Sequence, residues 1–195
     1  MGQVEAIHIA PAASAPMQSL GEVEAVAGGG LAGDRYRARI GFYSPRPTYP
    51  GAREVTLFEA EVLDALATEH GITLSAGEHR RNLTTRGVRL DDLLGRRFQV
   101  GEVLLEGVKD CPPCDHLQEL VGKPVLQPLV NRGGLRARVV VGGVLRVGDR
   151  ISVLEPVASL SEGPPWGKIS VPDNGGGRLL GEEQPHRTPA SSVGD

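Results

Sequence analysis

Both cysteines of the chain lie in one short motif, Cys111-Pro112-Pro113-Cys114, so two thiols must share one site. An apolar, strand-like segment precedes the motif, and a short helical pattern, Asp115–Val121, follows it and ends at Gly122. Because proline is tolerated in the first turn of a helix, we expect the motif at a strand-to-helix junction. Unpaired backbone N–H groups and the positive end of a helix dipole favour the thiolate, the form that binds metals and attacks electrophiles. The motif is therefore a candidate reactive sulfur site.

Two other chemistries use a close pair of cysteines. A thioredoxin-type dithiol also lies between a strand and a helix, but that fold needs a βαβ start before the motif, and here the motif comes past the middle of the chain. A zinc site is weaker, because one pair supplies half of the four ligands that zinc prefers. His116 lies two residues from Cys114, and a solvent-facing position on the helix explains it more simply than metal binding.

A second polar cluster is the run Arg80-Arg81-Asn82-Leu83-Thr84-Thr85. Guanidinium, amide and hydroxyl groups at the start of a strand are donors for a phosphate or another oxyanion. By spacing alone, a solvated turn leading into a strand explains the run equally well. Arg136 and Arg138 follow a glycine pair and lie on one face of another predicted strand, where ordinary solvent-exposed charges are the alternative.

The run Gly28–Gly33 matches the G-x-G-x-x-G pattern of dinucleotide-binding proteins. That pattern works only where it opens a helix, and the residues after it run into Ser44-Pro-Arg-Pro47 without helical periodicity. We therefore do not expect a dinucleotide site. The whole segment from Gly28 to Pro50 is too long to be an idle connection in a compact domain.

Periodicity predicts many short strands and two helices. Ala60–His70 has an apolar helical face and ends at Gly71, and Asp115–Val121 is the second helix. The predicted strands are Val4–Ile9, Val23–Ala27, Glu54–Phe58, Asn82–Thr85, Phe98–Val100, Val103–Val108, Leu135–Val141, Val144–Val147 and Ile151–Leu154.

Two segments resemble each other. Phe98–Glu106 and Leu145–Glu155 are each an apolar strand, a Gly-acid turn and a second strand. We expect them to form two similar hairpins of one barrel, since two copies are too few to stack as a solenoid.

Composition limits the class of protein. The 195 residues can bury one good core, and 27 glycines with only 4% aromatics favour a strand-rich domain over a helical bundle. The net charge of −3 without a basic block gives no indication of nucleic-acid binding. No apolar run approaches the roughly 20 residues of a membrane span, and no signal peptide is evident, so we expect a cytoplasmic protein.

The last part of the chain differs in composition. Residues 156–195 contain Gly175-Gly176-Gly177, scattered proline and serine, and few apolar residues in any period. Such a segment cannot bury enough apolar surface to offset its ordering entropy. We expect one domain over residues 1–155 and a disordered tail over 156–195, with Trp166 exposed in that tail.

These pieces, in this order, resemble the MOSC domain, the C-terminal domain of molybdenum cofactor sulfurases, which also occurs as small stand-alone bacterial proteins. The resemblance runs from about Val4 to Glu155. It rests on Gly30-Leu-Ala-Gly33-Asp34-Arg35, Val55-Thr-Leu57, Asn82-Leu-Thr84-Thr85, Pro113-Cys114, Gly134-Leu-Arg-Ala-Arg138, Gly142-Gly143 and Gly148-Asp149. It implies a mainly β fold, a MOSC-type β-barrel with a few short peripheral helices.

The resemblance also implies roles for individual residues. Cys114 resembles the family's hallmark cysteine, which would ligate the metal of a molybdenum cofactor (molybdopterin) or carry sulfur. A soft thiolate suits a metal that the pterin's own sulfurs already hold. The residues implied to bind the cofactor and its phosphate are Gly33, Asp34, Arg81, Asn82, Thr84, Thr85 and Arg138. Many relatives have Gly-Glu before the Asn, whereas Arg80-Arg81 here is similar to the amidoxime-reducing branch.

We therefore expect a molybdenum-cofactor-binding protein that reduces an N-oxygenated substrate at a Cys114-ligated molybdenum. Its electrons would come from a separate reductase. The sequence shows neither the N-terminal barrel of the amidoxime-reducing proteins nor the pyridoxal-phosphate domain of full sulfurases, so we do not expect it to mobilise sulfur from cysteine by itself. A sulfur-carrier or cofactor-delivery module, supplied by a sulfur donor, needs the same thiolate without turnover. A metal-free Cys-Pro-Pro-Cys dithiol oxidoreductase is the third alternative.

Overall fold

The computed structural model describes residues 2–46, 48 and 50–154. The expected disordered tail from 156 to 195, Trp166 within it and the expected boundary at Glu155 all lie outside the described residues, so the two-part organisation stays a prediction. The strands are β1 (Gly2–Ile9), β2 (Gln18–Leu20), β3 (Glu22–Val26), β4 (Gly30–Leu31), β5 (Val55–Glu59), β6 (Leu83–Arg86), β7 (Arg97–Val100), β8 (Val103–Asp110), β9 (Leu135–Val141), β10 (Gly143–Arg146) and β11 (Arg150–Val153). The α-helices are α1 (Ala60–His70) and α2 (Asp115–Val121), and a 3₁₀ helix covers Leu90–Leu93.

Seven strands close into a barrel. Their order is β11-β7-β8-β9-β5-β6-β1, and the ring closes because β1 also pairs with β11. Only β5 and β6 are parallel among these neighbours, and α1 lies in the crossover that a parallel pair requires. β2 extends the sheet beside β1, and β10, β3 and β4 form a separate three-stranded sheet. The predicted mainly β barrel with short peripheral helices is confirmed.

The barrel interior is filled by one face of each strand. In β7 and β8, buried and more exposed residues alternate, as the period of two requires. Leu57, Phe98 and Leu105 are fully buried in this core. Each such side chain contributes about 1.5–3 kcal/mol by leaving water, so this core is a main source of the stability of the barrel.

A second, smaller apolar cluster lies beside the barrel. Phe58 follows Leu57 in β5 and so belongs to the opposite face, where it packs with Leu66 of α1 and Leu117 of α2. Cys114 packs against this same cluster. The helix that carries the predicted reactive sulfur is therefore anchored on the outer side of β5.

Both helices have the bounds that periodicity predicts. α1 ends at Gly71 and α2 ends at Gly122, and both glycines adopt the left-handed conformation, with φ of 65° and 63°. Their backbone N–H groups bond to the last carbonyls of each helix. Glycine ends these helices because an L side chain is strained at such φ.

The expectation of a second hairpin over Leu145–Glu155 is wrong. β10 pairs with β3, whereas β11 pairs with β7 and β1, so the two strands belong to different sheets. Gly148, with φ of 93°, donates its N–H to the carbonyl of Val4, which directs the chain from one sheet to the other. The sequence also missed β2 and β4, which are too short to show a period.

Candidate functional site

Cys114 lies at the strand-to-helix junction that the sequence predicted. It is the N-cap residue of α2, with extended φ and ψ of −146° and 160°. Its carbonyl accepts the N–H groups of Leu117 at 3.0 Å and Gln118 at 3.2 Å. Its side chain makes no capping bond, and its thiol is free and partly exposed, whereas Cys111 is buried. Of the two cysteines, Cys114 is the one that a ligand can reach more easily.

The two thiols are held apart by the prolines between them. A residue before proline is driven to extended backbone, and this acts on both Cys111 and Pro112. The four residues of the motif contain no turn or bend. An extended run of this kind rises ~3.1 Å per residue, which separates the two Cα atoms by ~9 Å, beyond the ~7 Å limit for a disulfide. This geometry argues against the dithiol interpretation.

Arg81 fixes the conformation of the motif from behind. Its Nε donates to the carbonyl of Gly133 at 2.9 Å, and its Nη1 donates to the backbone carbonyl of His79 at 3.2 Å. Its Nη2 donates to the carbonyls of Cys111 at 3.0 Å and Pro112 at 3.3 Å. The side chain is buried, and four of the five N–H groups of a guanidinium are thereby used. These bonds give Arg81 a structural role and leave it little capacity for a phosphate.

A glycine pair presses against the same segment. A Cβ on Gly133 would collide with the carbonyl oxygen of Cys111, and one on Gly134 would collide with the carbonyl oxygen of Leu57. Gly134 also has a φ of 105°, which strains any L side chain. The start of β9 can therefore approach the cysteine motif closely only because both residues are glycine.

Asp34 and Asn82 form the centre of a buried hydrogen-bond network. Asp34 Oδ2 accepts a bond from Arg35 Nη1 at 3.1 Å and another from Asn82 Nδ2 at 3.2 Å. Asn82 Oδ1 accepts the backbone N–H of Thr56 at 3.1 Å and its hydroxyl at 2.8 Å. Asp34 further accepts the N–H groups of Ala10 and Tyr36, and Asn82 donates to the carbonyl of His8. The network joins β1, β5 and the loop after β4.

The two threonines predicted to bind the cofactor also face inwards. Thr84 lies 3.0 Å from His79 Nε2, and the Thr85 hydroxyl donates to the Phe58 carbonyl at 3.3 Å. His79 Nδ1 accepts the N–H of Arg81 at 3.1 Å, which leaves the ring proton on Nε2. Burial above all, together with the nearby His8 and Arg81, lowers the pKa of His79 to about 3. His79 is thus a neutral part of the framework.

Gly33 and Arg138 have different surroundings. Gly33 is exposed, and its φ of 75° provides the turn that leads into the network at Asp34. Arg138 Nη2 lies 2.9 Å and 3.0 Å from the two carboxylate oxygens of Glu106 on the neighbouring strand β8. Neither residue lines the pocket that Cys114 borders.

That pocket has a volume of about 280 Å³ and is lined by two kinds of side chain besides Cys111 and Cys114. One group is basic and the other is aromatic or aliphatic. The arginines are Arg35, Arg53, Arg80, Arg81 and Arg136, and the second group includes Phe42, Tyr43, His116, Leu117 and Leu120. No aspartate or glutamate is among the described lining residues, so the pocket carries an uncompensated positive charge.

Three of these arginines have donors to spare. Arg136 forms no ion pair within the described part of the chain, and the buried Nε atoms of both Arg53 and Arg136 lack a hydrogen-bond partner there. Burial lowers the pKa of Arg53, and the nearby Arg136 contributes to this shift. Burial, followed by the charge of Arg35, lowers the pKa of Arg80 to about 10. An anion in this pocket would relieve the repulsion among these cations.

Aromatic side chains of the loop after β4 contact α2 and line the pocket beside Cys114. The ring of Phe42 stacks on His116 with centroids 3.7 Å apart and planes 6° from parallel. Burial, then a hydrogen bond to Cys114, raises the pKa of Tyr43 to about 12. The phenol of Tyr43 therefore keeps its proton near neutral pH. The segment containing Phe42 and Tyr43 thus covers one side of the site.

Sequence reasoning missed most of the pocket wall. Arg35, Phe42, Tyr43 and Arg53 all lie in or just after the segment from Gly28 to Pro50, which the sequence marked only as too long to be idle. The missed signal was charge, because residues 35–53 contain five arginines and no acidic residue. Such a run in a chain of net charge −3 indicates an anion site or an interface.

The described residues include no group of three or more His, Cys, Asp or Glu side chains placed to hold a metal ion. A metal at Cys114 would consequently need most of its ligands to arrive with it. One thiol beside several cations suits a metal bound within an anionic cofactor better than a free ion.

Comparison with known proteins identifies the class to which this barrel and its cysteine belong. The profile of the MOSC domain matches residues 26–152, more than half of the chain. The chain therefore belongs to the MOSC domain family. That family is associated with binding of the molybdenum cofactor.

Solved structures show the same fold. The YuaD protein from Bacillus subtilis is 19% identical, with a TM-score of 0.65 over 78% of this chain and 96% of that one. YiiM from Geobacillus stearothermophilus is 17% identical, with a TM-score of 0.62 over 80% and 76% of the two chains. YiiM from Escherichia coli is 17% identical, with a TM-score of 0.57 over 80% and 72%. At these identities the likeness establishes the fold alone.

No curated protein matches the chain significantly. Among the described residues, neither α-helix has the length and apolar character that crossing a membrane would require.

Proposed function

We propose that this protein binds a molybdenum cofactor with the thiolate of Cys114 as a ligand of the metal and reduces an N-oxygenated substrate there. The observation that carries the proposal is the pocket itself, in which a reachable thiol borders a wall of arginines without a carboxylate. We place the protein in the cytoplasm, where a free thiol stays reduced.

The pocket fits such a cofactor in two respects. A single thiolate is a sufficient protein ligand for a metal whose other ligands belong to the pterin. The guanidinium groups of Arg53 and Arg136 line the pocket and suit the terminal phosphate, because charge-assisted bonds from guanidinium groups are among the strongest that a phosphate accepts. We therefore assign phosphate binding to Arg53, Arg136 and Arg80 in preference to Arg81, whose donors are already used.

The other predicted residues act on the cofactor through the framework. Asp34 and Asn82 hold the loop after β4 against β1 and β5, and that loop leads into the wall of Arg35 and Arg53. Thr84 and Thr85 fix the start of β6, from which Arg81 reaches the cysteine motif. In this proposal these residues shape the pocket without touching its ligand.

The bound group would supply two-electron oxygen-atom removal, and the chain supplies binding and orientation. Tyr43 lies beside Cys114 in the pocket lining and would limit the orientations of the Cys114 side chain. The reaction consumes two electrons and two protons, converts R₂N–OH to R₂NH and releases water. Those electrons must come from a separate donor protein.

Metal analysis of protein purified from a molybdenum-replete host tests the proposal. We expect about one molybdenum atom per chain in the wild type and in Cys111→Ser, and essentially none in Cys114→Ser, because a serine hydroxyl is hard and scarcely ionised near neutral pH. Cys111→Ser is the matched control because both residues line the pocket.

Two other results would decide against the proposal. Wild-type protein without molybdenum that carries one extra sulfur on Cys114, seen by mass spectrometry, would establish the sulfur-carrier alternative. Equal loss of function in both serine variants would restore the dithiol interpretation against the extended geometry.

A further inference from the structure

The loop that contributes Phe42 and Tyr43 to the Cys114 pocket also carries an exposed basic and apolar surface. The basic lip consists of the exposed residues Arg37, Arg39, Ile40, Phe42 and Arg46. None of its three arginines forms an ion pair with a carboxylate of the described residues. Ile40 and Phe42 remain about half exposed, at 53% and 44%.

Charge is distributed very unevenly between this lip and the rest of the chain. Residues 35–53 hold five of the 21 basic residues and none of the 24 acidic ones. The remainder of the sequence is thus clearly acidic, and the lip is a local exception. A single-sign patch on an oppositely charged protein steers and orients an oppositely charged partner.

The lip also adjoins the reactive sulfur. Phe42 stacks on His116 of α2, and Arg46 lies over the ring of Tyr43 at 5.0 Å, while Tyr43 contacts Cys114. A protein seated on the lip would therefore come close to the metal ligand. Electron transfer between proteins depends on such proximity.

We propose that the basic lip is the docking surface for an acidic one-electron carrier protein, the donor that the proposed reductase requires. This inference rests on the proposed function. The partner delivers two electrons in successive encounters, and two protons from solvent complete the release of water from R₂N–OH. A protein partner fits better than a nucleic acid, because arginine mixed with exposed aromatic and aliphatic side chains is typical of protein interfaces.

Binding of an acidic flavodoxin, used as the probe, tests the inference directly. We expect Arg37→Glu/Arg39→Glu to weaken the association at least about tenfold and to flatten its dependence on salt. Ile40→Ser should weaken binding by a smaller factor without changing the salt dependence. The matched control is Arg96→Glu/Arg150→Glu, which makes the same change of charge at exposed arginines that lie outside the basic lip and form no ion pair in the described chain.

Two assays of turnover separate failure of this inference from failure of the proposed function. With reduced methyl viologen, which needs no docking, both double variants should match the wild type. With the flavodoxin as donor, only the lip variant should lose activity, again by about tenfold or more. No turnover with viologen in the wild type would reject the proposed reductase.

Two results would reject the lip as the docking surface in a protein that is active with viologen. One is that the lip and control variants change flavodoxin binding equally. The other is that the wild type does not bind the flavodoxin. Lip-dependent binding of single-stranded DNA or of phosphatidylserine vesicles instead of the flavodoxin would assign the surface to a different class of partner and overturn the proposal.

Discussion

Two polar regions of this molecule differ in how their charges are paired, and only the first was expected from the sequence to bind a cofactor. In the network around Asp34 and Asn82, nearly every donor has an acceptor within the protein. Among the pocket arginines, Arg53 and Arg136 keep buried donors without partners among the described residues. Because a buried polar group without a partner is costly, the first arrangement stabilises the fold, and the second is where we propose that an anionic ligand binds.

The largest expected effect is on the paired region. Asp34→Ala should lower the free energy of unfolding by about 3–5 kcal/mol, because it leaves the buried Arg35 guanidinium without its carboxylate. Urea denaturation measures the change. Asp92→Ala, at an exposed aspartate, should change stability by less than about 0.5 kcal/mol. If Asp34→Ala left the free energy of unfolding nearly unchanged but abolished cofactor binding, Asp34 would contact the ligand and would not be part of the framework.

Arg81 tests the boundary between the two regions. Arg81→Ala should cost about 2–4 kcal/mol of stability, since four backbone carbonyls lose a charged donor. Arg81→Lys should recover little, because one ammonium group cannot span carbonyls from three segments. Unfolding and cofactor titration are measured on the same preparations. Lysine that restores affinity but not stability would show that Arg81 contacts the phosphate, as the sequence predicted.

The unpaired wall should respond in the opposite way. Arg53→Gln and Arg136→Gln should each weaken cofactor binding by about tenfold to a hundredfold, the equivalent of about 1.4–3 kcal/mol for a charge-assisted contact. Their stability should change by less than about 0.5 kcal/mol. Titration of apo-protein with cofactor gives the affinity. Arg138→Gln on the same strand is the control, and a loss of affinity there would support the prediction from sequence.

The paired region is also expected to make stability depend on pH, with a small effect near neutral pH. The pKa of His79 is about 3 in the folded protein and ordinarily near 6.5, so the unfolded chain binds the proton first. The contribution is complete above about pH 6.5 and declines as the pH falls toward 3, by at most ~1.4 kcal/mol per pH unit. His8, whose pKa burial also lowers, acts in the same direction.

Thermal unfolding from pH 7 to 4 checks this dependence. His79→Gln should have a shallower slope than the wild type, whereas a change at the exposed His70 should leave the slope as it is. Parallel curves for His79→Gln and the wild type would contradict a neutral, buried His79.

The sequence predicted those parts of the molecule that local patterns determine. Both helices were predicted with their observed bounds because a periodic face and a terminal glycine define them. Cys114 was placed correctly because the prolines and the helix beside it are local. The pairing of β10 with β3 could not be predicted, since Leu145–Glu155 resembles a hairpin and its partners lie far away in the chain.

For the site, the residue types indicated the possible chemistry, but the sequence did not indicate in which direction the side chains point. Asn82, Thr84 and Thr85 are polar residues at a strand start, and no pattern tells whether such side chains face a ligand or the interior. Arg53 and Arg136 meet in the pocket only because the barrel brings β9 beside β5. Residues 83 positions apart therefore form one wall that no local motif contains.

The extended Cys-Pro-Pro-Cys run has a consequence for the protein's exposure to oxidants. Where two thiols lie within bonding distance, an oxidised cysteine quickly forms an internal disulfide, which a reductant can reduce again. With the Cα atoms of Cys111 and Cys114 ~9 Å apart in an extended run, Cys111 would not resolve a sulfenic acid on Cys114. The sulfenic acid would then react with a small-molecule thiol, form a disulfide with a second protein molecule or be oxidised further to the irreversible sulfinic acid. A bound cofactor would protect this sulfur, so the apo-protein is the more vulnerable form.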